Sequence, residues 1–296
     1  MKKNWIVGTR GSKLALKQTD VTIGLLKKVY PDYDYSVKII KTKGDTVWDA
    51  PLHLVGGKGL FVKEIEEALI RKEIDMAVHS MKDLPTELER GLVLAVVLER
   101  EDPRDVFISL IHDKLENLKG QARVGTGSIR RKSQILNFNK DIEIVTLRGN
   151  VDTRIRKLSE QALDGIILAY AGIKRMGYDS YVKEVLPFEI MVPPSGQGAI
   201  GIETRDEAEC REMLSPINHP RSFLEVSLER KLQIAIGGGC QTPLGINVSI
   251  DGDMFYMHVA LGSEEGELYV KEKLVGSVQS PDEVVSKALD LVSAHK

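Results

Sequence analysis

"WIVGTRGSKLAL", residues 5–16, decides the fold, because the chain uses the same device twice. An apolar run of strand type ends in Gly-Thr, a short glycine turn follows, and a serine precedes a helical pattern. "ARVGTGSIRRKSQILNF", residues 122–138, repeats that order. Ser12 and Ser128 are each placed to cap a helix, the first expected to run to about Tyr30 with Leu14, Val21, Leu25 and Val29 on its buried face. A second pair has the same relation: "IDMAVHSMKDL" at 74–84 is echoed by "DGIILAYAGIKRM" at 164–176, with "ILAYAG" read as strand. The separations differ between the halves, so this is no strict repeat. The expectation is two similar α/β domains, each with a largely parallel sheet.

Outward from these stretches the chain punctuates itself. "EREDPRDVF" (99–107), with its charges and Pro103, reads as a crossing from the first domain to the second. "IMVPPSGQGAIGIETR" (190–205) reads as a loop feeding a strand that returns. After "INHPRS", two strand-like stretches and an amphipathic helix at 281–294 predict a small α+β domain. The expected domains are therefore 1–99 with 200–217, 100–199, and 218–296. "APLHLVGGKGLF" (50–61) is a glycine-rich connection, either a mobile flap or merely a long link.

Composition excludes several classes. At 296 residues, 42% hydrophobic and 28% charged, the chain has enough apolar material for real cores. A net charge of −2 gives no global attraction for nucleic acid or a membrane surface. Two cysteines, Cys210 and Cys240, suit a reducing compartment, and the N-terminus carries no secretory or membrane-spanning pattern. The six histidines are scattered without metal-ligand spacing, so no metal site is expected. The reading is a cytoplasmic protein.

Basic residues gather where the pattern puts strand ends and helix starts: Arg10 and Lys13, then Arg130, Arg131 and Lys132, then Arg148, Arg154 and Arg156, then Lys174 and Arg175. Singly, each is an ordinary surface charge. Together, at the carboxyl ends of parallel strands, they describe a cleft lined for a polyanion, with arginine suited to paired contacts with carboxylates. Nucleotide fingerprints are absent: "GTGSIR" lacks the third glycine and "GGKGLF" is no phosphate loop. Asp83, just past a buried strand, is either a turn cap beside Pro85 or an acid that stabilises a developing cation. Cys240, behind three glycines in "AIGGGCQTPLG" (235–245), is either a small buried hydrophobe or a thiol kept accessible.

The ordered set "TRGSKLAL", "GGKGLFVKEIE", "DMAVHSMKDLPT", "GTGSIRRKSQ", "LRGNVDTRIRKL", "ILAYAGIKRMG", "PPSGQGAIGIE" and "ERKLQIAIGGGCQTPLG" resembles the hydroxymethylbilane synthases, or porphobilinogen deaminases, over essentially the whole chain. Gly127, where serine is frequent, and Pro194, where alanine is usual, are small departures that touch local geometry. The resemblance implies two periplasmic-binding-protein-like α/β domains around a cleft, plus the small C-terminal domain. It implies a dipyrromethane cofactor held through a thioether at Cys240, and porphobilinogen and the growing polypyrrole chain as partners. Four porphobilinogens are joined head to tail with loss of ammonia, and hydrolysis releases hydroxymethylbilane. Carried over by position, Asp83 is the catalytic residue, holding the pyrrole N–H groups and assisting proton transfer. Ser80, Lys82, Asp83, Thr126, Ser128, Arg130, Arg131 and Arg148 hold the cofactor. Arg10, Ser12, Arg148, Arg154, Arg175 and Gln197 meet substrate, and Lys58 and Phe61 belong to the flap. The chain is expected to act as a monomer. Two other readings stand beside this one: a non-catalytic anion-binding module on the same fold, and a small-carboxylate transferase using Cys240 as an ordinary nucleophile.

Overall fold

The computed structural model describes residues 2–42, 62–237, 242–263 and 265–295. The chain divides into two compact units, one of residues 1–101 and 199–223, the other of 102–198 and 224–296.

In the first unit, β1 (Asn4–Thr9) leads into α1 (Lys13–Val29) and β2 (Asp34–Ile39). After α2 (Lys63–Ile70) come β3 (Met76–Ser80) and β4 (Leu92–Val97). The sheet is completed late in the chain by β10 (Ile200–Arg205), giving the order β2-β1-β3-β10-β4. β1 runs parallel to β2 and β3, whereas β10 is antiparallel to both its neighbours. Trp5, Val7, Met76, Val78, Ile200 and Ile202 form a core on one face, and Ile65, Leu69, Ile74 and Ala77 pack on the other. This is the period-two alternation of strands covered on both sides.

The second unit repeats the plan. β5 (Asp105–Ile108), β6 (Arg123–Gly125), α3 (Ile129–Phe138), β7 (Glu143–Val145), α4 (Val151–Glu160), β8 (Gly165–Ala169), α5 (Tyr170–Met176) and β9 (Val182–Val185) follow in turn. The sheet order is β7-β6-β8-β5-β9, with β5 the antiparallel member. In each sheet the antiparallel strand starts at the carboxyl edge of its parallel neighbour: Asp105 opposes Ala169, and Ile200 opposes Ser80.

The same unit carries a three-stranded antiparallel sheet of β11 (Leu244–Asp251), β12 (Met254–Gly262) and β13 (Leu268–Ser277). The hairpin between β11 and β12 turns at Gly252, whose φ of +55° suits glycine. α6 (Ala208–Leu214) belongs to the first unit, α7 (Pro220–Ile236) begins there and continues into the second, and the chain closes with α8 (Pro281–Ser293). Leu228, Leu232 and Ile236, spaced four apart on α7, pack with Val284, Val285, Ala288 and Val292 of α8 onto Ile246, Val248, Phe255 and Met257. The fold class is α/β as expected, with two five-stranded, largely parallel sheets flanked by helices and a three-stranded antiparallel sheet packed with helices in the second unit.

Two local expectations are corrected. The buried stripe of α1 is Gln18, Thr19, Thr22 and Leu26, while Val21 and Val29 are exposed and Leu14 and Leu25 half-buried. The threonine hydroxyls donate within the helix, Thr19 to Ala15 O at 2.9 Å and Thr22 to Gln18 O at 3.0 Å, so both residues pack as apolar ones. The strand expected over "ILAYAG" ends at Ala169, and Tyr170 begins α5, which places Lys174 and Arg175 in the last turn of a helix.

Candidate active site

The first group of site residues leaves one edge of the first sheet. Gly8 stands opposite Ala77 in the parallel pairing of β1 with β3, so the segments after Thr9 and after Ser80 emerge side by side. Ser12 Oγ accepts from Ala15 N at 3.2 Å, capping α1. Ser80 and the buried Gln18 exchange hydrogen bonds at 2.8 and 3.0 Å, tying the end of β3 to that helix. Beyond Ser80 the chain makes one 3-10 turn, Met81–Asp83, closed by Leu84 N donating to Met81 O at 3.2 Å. Met81 is buried, Lys82 half-buried and Asp83 exposed. Among the described residues the Asp83 carboxylate has no hydrogen bond or ion pair, and no side chain caps its turn. The turn-cap reading of Asp83 therefore has no bond to rest on.

The second group lies at the corresponding edge of the second sheet. Thr126 follows β6, and its Oγ1 accepts from Ser128 N at 3.2 Å. Ser128 Oγ accepts from Arg131 N at 3.4 Å, the cap of α3. Arg130 and Arg131 turn inward to the carboxylate of Asp105, which is wholly buried. Arg130 Nη2 donates to Oδ2 and Arg131 Nη2 to Oδ1, both at 2.7 Å. Their other arms reach Val192 O at 2.7 Å and Ile167 O at 3.0 Å. Gln197 Nε2 completes the knot, donating to Asp105 Oδ1 at 2.9 Å and Pro103 O at 2.7 Å. The loop carrying Gln197 is itself held by Glu229 of α7, whose Oε2 accepts from Gly196 N at 2.7 Å. Arg148 stands in the loop after β7, Arg154 Nε donates to Gly149 O at 2.7 Å, and Arg175 Nη2 donates to Gly198 O at 2.6 Å.

The electrostatics of the knot follow from that geometry. Burial pushes the Asp105 carboxyl up and Arg130, Arg131 and the Gln197 amide pull it down; the pull wins, leaving the acid far below the usual carboxylate range. One carboxylate cannot neutralise two guanidiniums, so the knot keeps an excess positive charge. Arg131 Nε is buried and has no hydrogen-bond partner among the described residues. An anionic oxygen would satisfy both deficits. Asp105 was unassigned from sequence; the available signal was an acid opening the apolar run "DVFI", where a buried strand does not normally begin with an unpaired charge.

Lys58, Phe61 and Cys240 lie outside the described residues. Cys210 is in α6, 3% exposed, packed with Met213 and Leu214, and burial pushes its thiol pKa up. A buried thiol held protonated is a poor nucleophile.

The family described as "Porphobilinogen deaminase, dipyromethane cofactor binding domain" matches residues 5–212. The chain is 44% identical to a porphobilinogen deaminase of Carboxydothermus hydrogenoformans, covering 99% of this chain and 95% of that protein. It is 48% identical to one of Geobacter sulfurreducens, covering 92% and 86% respectively. Among solved structures, a methionine-binding protein, MetQ, superimposes with a TM-score of 0.45 at 13% identity over 77% of this chain and 95% of that one, too distant to bear on the site. The matched segment spans both five-stranded sheets and every arginine placed above, and the chain belongs to the porphobilinogen deaminase family, enzymes that build a linear tetrapyrrole from porphobilinogen on a dipyrromethane cofactor.

Proposed function

We propose that this chain joins four porphobilinogens head to tail, releasing ammonia at each addition and hydroxymethylbilane after hydrolysis, with Asp83 as its catalytic carboxylate. The observation that carries the reading is the Asp83 carboxylate, exposed at the carboxyl end of β3 and unpaired among the described residues. Ligands of α/β sheets bind at that edge. As the amino nitrogen of porphobilinogen's aminomethyl group departs as ammonia, the methylene stays on the ring and positive charge spreads over it and the pyrrole. An acceptor for the pyrrole N–H that also carries a negative charge stabilises that state more than the ground state.

The residues fit a flat, carboxylate-bearing cofactor. Arg130 and Arg131 present a net positive knot with an unsatisfied buried donor at Arg131 Nε, and Ser80, Lys82, Thr126, Ser128 and Arg148 supply further donors at the two sheet edges. Bound dipyrromethane supplies the pyrrole α-carbon from which the product is extended. Arg10, Ser12, Arg154 and Arg175 bind and orient substrate carboxylates, and anchoring Arg154 and Arg175 to backbone carbonyls presets the direction of each fork. Gln197, expected to meet substrate, spends both amide hydrogens on Asp105 and Pro103 and acts through the knot instead. The resemblance assigns Lys58 and Phe61 to a flap, and both lie outside the described residues. Attachment is assigned to Cys240, because Cys210 belongs to a core that a pyrrole cannot enter without unfolding α6. The small net charge and two cysteines favour a cytoplasmic protein without nucleic-acid partners, and the monomer rests on the family resemblance alone.

Asp83→Asn tests the reading. Asparagine keeps the size and an acceptor but removes the charge, so single-turnover ammonia release is expected to slow by about a hundredfold or more while melting temperature and cofactor mass stay normal. A rate near that of the unaltered protein would return Asp83 to an ordinary turn residue.

A further inference from the structure

Three ionisable side chains are buried together behind the turn that carries Asp83. His79 of β3 and Glu203 of β10 are bridged at 2.9 Å between Nε2 and Oε2, with side-chain exposures of 5% and 0%. Glu66 of α2 is buried at 6% exposure, and its Oε1 accepts from Glu89 N at 3.4 Å. Burial first, and then the Glu203 carboxylate, push the Glu66 acid up to about 7. Glu89 also raises it and His79 lowers it. From the same strand as Glu203, Arg205 covers the other end of α2, donating to Leu69 O at 3.0 Å and Ile74 O at 2.8 Å.

Such a cluster is a poor way to stabilise a sheet. Replacing a buried polar or charged pair with apolar residues of similar volume is often neutral or stabilising, so its presence needs another reason, and fixing register is the best attested. Register is what this place needs. β10 is bulged against β4 between Ile202 and Glu203, so its ladder with β4 is interrupted beside Glu203. On its other side β10 determines where the Asp83 turn stands. Met81 N donates to Ala199 O at 3.1 Å, and the Met81 side chain occupies the space that a Cβ at Gly201 would fill. His79 lies opposite Gly201 in the pairing, one residue from the end of β3. A slip of β10 at the bulge would carry Ala199, Gly201 and the docked turn with it.

We propose that His79 and Glu203, backed by Glu66, are positioning residues for the known reaction: their buried bridge pins β10 to β3 in the register that holds the Met81–Asp83 turn. The inference rests on the reading of Asp83 given above. Neither residue touches substrate. Their effect passes through the Met81 amide and the seat at Gly201.

The test replaces the bridge with an apolar pair, His79→Leu with Glu203→Met, in the cofactor-bearing protein. Cofactor mass and melting temperature should be retained and KM should stay within about twofold, while kcat falls roughly ten- to a hundredfold. Hydrogen exchange at the Met81 amide should quicken by about tenfold or more, with the central strands still protected. Met81 protection unchanged, or kcat within about twofold of the unaltered protein, overturns the proposal. Should the paired variant not fold, Glu203→Gln decides by the same readouts: its amide can still accept from His79, so Met81 protection and kcat should both be largely kept, and loss of kcat with Met81 still protected overturns the proposal. Asp83→Asn, run alongside, keeps the two claims apart. Normal turnover there removes the reading of Asp83; normal turnover in the paired variant, with Asp83→Asn inactive, removes the positioning claim alone.

Discussion

Arg131 Nη2 meets Asp105 Oδ1 at 2.7 Å in a place where neither side chain is more than 6% exposed. Asp105 opens the antiparallel strand and Arg131 sits in the first turn of α3, so the pair links the chain's arrival in the second unit to the helix that carries two cofactor-binding candidates. Its second oxygen holds Arg130 at the same distance.

Asp105→Asn should therefore be among the most damaging conservative changes in the chain. Removing one partner of a buried pair costs about 3–5 kcal/mol, and here two guanidiniums lose their countercharge at once. The free energy of unfolding in denaturant checks this, and intact mass should show mainly cofactor-free protein. Because the folded acid lies far below its ordinary range, its stabilisation is present above the ordinary carboxylate pKa and is lost as pH falls. The difference in stability between the unaltered protein and Asp105→Asn should shrink toward low pH.

Glu66 has the opposite sign. Its folded-state pKa is raised from 4.5 to about 7, so the folded protein binds the extra proton and stability falls as pH rises through that window. Melting temperatures measured across it should decline relative to Glu66→Gln, which lacks the titrating group, by roughly several degrees. Parallel curves for the two proteins would mean that Glu66 is ionised throughout.

The arginines should differ in the stage at which they matter. Arg131→Leu removes a member of the buried knot, and the protein should be recovered mainly without cofactor. Arg175 lies outside the knot, in the last turn of α5 and tied to Gly198 O, so Arg175→Leu should carry cofactor and slow during elongation. Weighing quenched protein reveals species heavier by one, two or three pyrroles, and their distribution should shift in Arg175→Leu. The same distribution for every arginine variant, with only a common drop in rate, contradicts this division.

Much of this architecture was legible in the sequence because it is written in local signals. Ser12 and Ser128 cap their helices as their position after a Gly-Thr turn implies, and the return strand after "PPSGQG" forms β10. The buried face of α1 was not legible, since threonines whose hydroxyls bond within the helix pack like apolar residues while the sequence shows only polar ones. The Asp105 knot and the His79–Glu203 bridge were not legible either. Each depends on an antiparallel strand inserted beside its partner from far along the chain, and no local periodicity records which acid will face which base. At the candidate site, sequence supplied the residue types and their sheet edges, whereas the engagement of Arg130 and Arg131 with Asp105 came only from the fold.

The most direct measurement is the intact mass of the purified protein beside that of Cys240→Ser. With Cys210 buried in the core of the first unit, the account predicts a mass above that of the sequence by two pyrrole units, stable to denaturation and lost in Cys240→Ser. No added mass, or an adduct that survives in Cys240→Ser and maps to Cys210, would contradict it.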